Sequence, residues 1–236
     1  MLAQTELTRS KRSAPCGGRI LRSFGAGVLG LGALAVGLPL LARSIYSRWG
    51  ATDEEVRMAL PGDGLVPNPV TQSTRAITIA VTPGSIWPWL IQMGQGRGGL
   101  YSYDFLENLV GCDMHSADRI VPEWQDLAIG DVVRMVPESM QGGPKYLVAE
   151  IHPERALVLQ TPPESEETAE FTSSWAFVLN PLENETTRLI VRTRSFSSPG
   201  WVAPLFGVEP LHFVMEEKMM RGIKMRAEWT GLEPLQ

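Results

Sequence analysis

The residues with the greatest chemical capacity lie close together. Tyr101, Ser102, Tyr103, Asp104 and Glu107 bring hydroxyls and carboxylates into one short stretch behind a glycine loop. At the mouth of a cavity such groups orient the polar end of a ligand, and Tyr103 or Asp104 could serve as acid or base. The same residues also read as a helix start, with Ser102 as cap, Asp104 favouring the helix N-terminus and the tyrosines shielding a core. Gly94, Gly96 and Gly99 satisfy GxGxxG, but they follow an expected helix, whereas dinucleotide binding needs a strand before the glycines and a helix after them. Arg97 in that loop reads as a solvent-exposed or mouth-lining cation. Cys112, His115 and Asp118 have ligand-like residue types at i, i+3 and i+6 but lack a fourth partner, so no metal is expected; neither is any cofactor. Arg192 and Arg194 share one strand face, where they either grip an anion inside a cavity or stand in solvent.

A cavity needs walls, and the rest of the chain supplies them. Residues 75–81, RAITIAV, alternate as a strand, and Thr82 with Pro83 opens a helix that carries Trp87 and ends by Gly94. A second short helix opens at Ser102 and stops at Gly111. Strand signals follow at 120–124, 131–136, 145–151, 156–160, 173–179 and 188–196, the last two joined by the hairpin NPLENETT. The final helix, from about Pro210 to Trp229, lines up Leu211, Val214, Met215, Lys218, Met219, Gly222, Ile223 and Trp229 on one broad stripe. It also holds Met220 and Met225, and thioether chains adapt to varied ligands as readily as they fill a core. The expected ligand-binding set is therefore Trp87, Tyr101, Tyr103, Asp104, Trp124, Met215, Met219 and Gly222, with Tyr103 and Asp104 as the catalytic candidates.

This order of elements is not the regular alternation of a Rossmann or TIM arrangement. Through RAITIAVTPGSIWPWLIQMGQGRGGLYSYDFLENLVG, HSADRIVPEWQDLAIGD and the terminal helix, the chain resembles the START-like helix-grip superfamily, or SRPBCC. That superfamily includes polyketide cyclase/dehydrase, birch-pollen-allergen and lipid-transfer types, and the likeness is to a bacterial branch with an N-terminal membrane segment. The resemblance spans roughly residues 70–230. It implies an α+β fold, a curved antiparallel seven-stranded sheet around the long C-terminal helix, with an apolar cavity between them. It implies no particular catalytic residue, because the superfamily shares a cavity rather than a chemistry.

Charge divides the chain. The net charge of -5 conceals six basic and one acidic residue in 1–44 against 15 basic and 25 acidic in 45–236. The acidic bulk is unsuited to nucleic acid. Residues 24–42 form nineteen uncharged, mostly apolar positions, long enough for one membrane span; a cleaved signal or a buried soluble helix are the alternatives. More positive charge precedes than follows this run, which places the N-terminus in the cytoplasm and the domain outside it. Ala26, Gly30, Ala33 and Gly37 share a face that could support a homodimer through the anchor. Two cysteines exclude a disulfide scaffold. The expected organisation is a basic tail (1–23), an anchor (24–44), a connector (45–70), a helix-grip domain (71–230) and a short tail (231–236). The expected function is membrane-anchored binding of a hydrophobic small molecule or lipid. A cyclase/dehydrase-type enzyme and a non-catalytic interaction or assembly protein are the rivals.

Overall fold

A computed structural model describes residues 43–140, 143–162, 171–197 and 202–230, with side chains in the last segment from 209 onward. The chain divides into two units, 1–42 and 43–236, and only the second contains described residues. Its elements are helix α1 (Asp53–Arg57), strand β1 (Thr71–Ile79), helices α2 (Pro83–Ile91) and α3 (Asp104–Leu109), strands β2 (Val132–Arg134), β3 (Lys145–His152), β4 (Ala156–Gln160), β5 (Phe171–Pro181) and β6 (Thr187–Ser197), and helix α4 (Val202–Thr230). The strands form one antiparallel sheet in the order β1-β6-β5-β4-β3-β2.

The sheet has six strands rather than the expected seven. The seventh, 120–124, is a 3-10 turn at Pro122–Trp124. Pro122 has no N–H to give a ladder, and the Val121 N–H is taken by the Gln92 side-chain oxygen at 3.1 Å. The fully buried Gln92 also donates to the Arg119 carbonyl, so one amide pins the segment beside α2.

Period-two alternation sorts the sheet's two faces. Trp175, Phe177 and Leu179 of β5, with Leu189 and Val191 of β6, join Ile86, Trp89 and Leu90 of α2 and Met219, Met220 and Ile223 of α4 in the main core. The opposite face is covered too: Leu60 packs there with Ala76, Ala156, Val178 and Ile190. That explains why β5 is buried without interruption from Ser173 to Leu179.

The arginines of β6 hold this cover in place. Arg192, 2% exposed, pairs with Asp63 at 2.8 Å and donates to the carbonyls of Glu55, Val56 and Met58. Arg194 donates to the Val66 and Pro67 carbonyls, and Arg188 grips the Glu55 carboxylate through two nitrogens. Thus Arg192 and Arg194 neither enter a cavity nor stand in solvent; they fasten the connector.

The expected membrane location is corrected. Among the described residues no helix is long and apolar enough to cross a membrane. The 24–42 span, with the orientation and the anchor-mediated dimer built on it, lies outside the described residues, as does Cys16.

Candidate ligand-binding site

Between the sheet and α4 the packing leaves two adjoining recesses. The larger, about 220 Å³, has Leu100, Met135, Pro144, Met215 and Met219 as apolar walls and Tyr146 and Trp175 as aromatic ones; Ser102, Glu107, His212 and Glu216 complete it. The smaller, about 150 Å³, is richer in polar groups: Thr71, Ser73, Ser173, Thr193 and Ser195 bring hydroxyls beside Arg75 and Glu209, with Tyr46 and Phe171 as aromatic walls. Tyr146 and His212 border both. The site therefore offers an apolar recess beside one rich in hydroxyls.

Strand parity builds it. Trp175 on β5 and Tyr146 on β3 reach towards each other from either side of β4, with ring centroids 5.8 Å apart, and the indole packs 4.7 Å from Phe177. Its Nε1 donates to Glu216 Oε1 at 2.8 Å, and Glu216 is itself ion-paired with Arg75. Arg75 also donates to the Tyr46 carbonyl at 2.8 Å, and its guanidinium lies over Phe213, 5.3 Å from the ring centre. Arg75 and Glu216 are each 2% exposed, so this buried pair ties α4 to β1 directly beside the recesses.

The expected site residues divide. Met215 and Met219 line the larger recess. Tyr101 is in the core: its hydroxyl donates to the Trp89 carbonyl at 3.0 Å, and burial raises its pKa. Asp104 accepts from the Ser116 N–H at 2.7 Å and hydroxyl at 2.6 Å, which commits both its oxygens to holding a loop. Tyr103 faces the Lys218 ammonium, 5.6 Å from its ring centre, and Phe105. Trp87 packs half-buried against the core, and Trp124 belongs to the 3-10 turn, where its carbonyl accepts from Arg97. Arg97 is a staple between that turn and the Ile91 carbonyl rather than a free cation. Gly222 marks close contact of chain with chain: a Cβ there would sit 2.2 Å from the Tyr101 carbonyl oxygen.

Ser102 does not cap α3, which begins after Tyr103 without a side-chain cap. Instead its hydroxyl donates to the Met215 carbonyl at 2.8 Å and joins the α3 approach to α4. His115 pairs with Asp113 at the surface, and among the described residues no three His, Cys, Asp or Glu side chains gather in a metal-binding group.

Glu107 is the unusual member. Its Oε2 is buried with no hydrogen-bond partner, and loss of hydration, reinforced by the neighbouring Asp104 charge, raises its pKa to about 7. An unfolded glutamate loses its proton near 4.5. Between those values the unfolded chain is the one that releases the proton. The contribution of Glu107 to native stability is therefore fully present below pH 4.5 and is lost as pH rises to about 7. Because the group is half-buried and screened, the decline is on the order of 1 kcal/mol. Glu107→Gln should flatten this part of a urea-denaturation profile, and an unchanged slope would show that Glu107 titrates normally.

An α+β chain whose six-stranded antiparallel sheet packs on a long C-terminal helix, with recesses between them, fits the helix-grip class. No protein-family model and no curated protein matches the chain. Solved structures do. A Rhodobacter sphaeroides protein is 16% identical over 71% of this chain and 97% of its own, with a TM-score of 0.43. Norcoclaurine synthase from Thalictrum flavum is 14% identical over 75% of this chain and 95% of its own, at 0.40. A Mesorhizobium loti protein is 15% identical over 68% and 98%, also at 0.40. At such values no activity transfers from any of them.

Proposed function

We propose that the chain binds a small, largely apolar molecule in the recess between the sheet and α4. The observation that carries this reading is the space bounded by Leu100, Met135, Tyr146, Trp175, Met215 and Met219, which the described side chains leave unfilled. A purely structural or assembly role gives no reason for a gap with aromatic and thioether walls beside a buried ion pair. A ligand burying about 200 Å² of apolar surface would gain about 5 kcal/mol before ordering costs.

The test uses the full chain and the neutral fluorophore N-phenyl-1-naphthylamine. Its fluorescence should rise saturably with protein. Met215→Trp places an indole at the recess and should weaken binding about tenfold while the thermal melt stays put, since Met215 is only half-buried. Absence of saturable binding, or equal binding by the variant, would overturn the reading.

A further inference from the structure

We infer that the recess selects a ligand whose polar end is a protonated amine, held by Glu107 among aromatic faces. This rests on the binding role proposed above and specifies the class of molecule. Glu107 borders the apolar recess with its carboxyl group half-buried, one oxygen, Oε2, being enclosed and without a partner. A carboxylate in that state gains from an added cation more than from any neutral group, because charge-assisted hydrogen bonds are the strong ones.

Among the described residues no basic side chain pairs with Glu107 Oε2. Arg75 is taken by Glu216, Arg97 by two carbonyls, Arg226 by the Ala117 carbonyl, and Lys218 lies over Tyr103. The groups bearing on Glu107 are acidic or neutral: Asp104 on the same helix raises its pKa, and the Cys112 thiol is itself pushed up by burial and by the Glu107 charge. Across the recess, Glu216 is already paired and Tyr146 is held protonated by burial. His212 stays accessible through the recesses, yet the protein packed around its ring lowers its pKa from 6.5, so it adds no competing positive charge at neutral pH.

A second observation points the same way. Trp175, Tyr146 and His212 stand together, with centroid separations of 5.8 and 6.4 Å from the indole to the other two rings. Aromatic faces attract ammonium groups and are indifferent or hostile to anions. One carboxylate beside clustered rings is the combination that recognises an alkylammonium.

The experiment displaces N-phenyl-1-naphthylamine from the full chain at pH 8 with three eight-carbon competitors: n-octylamine, n-octanol and octanoate. The amine should compete about tenfold better than the alcohol, with octanoate weakest. In Glu107→Gln the amine should fall to the level of the alcohol, while the alcohol is unchanged. A spectroscopic readout on the unaltered chain guards against a folding effect: the 13C signal of the Glu107 carboxyl should titrate at lower pH when octylamine is bound. If the fluorophore binds but amine and alcohol compete equally, or Glu107→Gln keeps the preference, the amine assignment is overturned and the apolar site stands. If the fluorophore does not bind, the underlying binding role fails, and the amine assignment with it.

Discussion

Glu216→Ala is expected to cost about 3–5 kcal/mol of folding stability, the usual effect of removing one partner from a buried ion pair. The glutamate accepts from Arg75, from Trp175 Nε1 and, at 3.4 Å, from Thr193 Oγ1, so its loss strands a guanidinium that is 2% exposed and an indole N–H. For a domain of this size that lowers the midpoint of a thermal melt by about 6–20 °C. The double variant Arg75→Met/Glu216→Leu should recover most of the loss, because two well-packed apolar side chains replace the pair without leaving a charge behind. A single variant that melts within about 2 °C of the parent would show that the pair does not secure α4.

Gly222→Ala tests the other side of the same helix. In an exposed helix the change would be worth about 1 kcal/mol in favour of alanine. Here the added carbon would lie 2.2 Å from the Tyr101 carbonyl oxygen, and that is backbone rather than a flexible tip. Tyr101 has little room to yield. It adopts a φ of 59°, its N–H donates to Ser116 Oγ and its ring carries Arg226 at 4.9 Å. Forcing the two segments apart should cost more than the helix gains, leaving a net loss of about 2 kcal/mol. It should also weaken fluorophore binding, since Ser102 directly follows Tyr101 and its bond to Met215, two turns before Gly222, borders the recess. An alanine variant more stable than the parent in urea would refute the close approach.

Much of the sheet was legible because its strands are short runs of apolar and β-branched residues separated by Gly, Pro and acidic turns, and the terminal helix declared itself by length. What escaped depends on partners far apart in the chain. The stripe reading of α4 placed Leu211, Val214 and Trp229 inward, yet they are 60%, 44% and 64% exposed, while the charged Glu216 is buried. A glutamate is assigned to solvent unless its cation is known, and Arg75 lies 141 positions away. Parity likewise put Arg192 and Arg194 on one face but could not reveal that the connector covers it. Of the site, Met215 and Met219 were readable from helical spacing. Tyr146, Trp175 and Met135 were not, because β4 brings β5 alongside β3 and β2 in a register that no local pattern encodes. Asp104 was singled out for its carboxylate, though both oxygens are satisfied; Glu107, one turn later, is the one left without a partner.

The central claim is that the space between the sheet and α4 is a ligand site, and methionine methyl resonances report on it directly. Met135, Met215 and Met219 line that recess, whereas Met58 lines a separate recess of about 380 Å³ with Leu60, His152 and Val178, and Met225 is exposed on the helix. On titration of the full chain with N-phenyl-1-naphthylamine, the Met135, Met215 and Met219 methyl signals should shift together along one saturation curve while those of Met58 and Met225 stay fixed. Shifts confined to Met58, or no saturable shift at any of the five, would contradict the account.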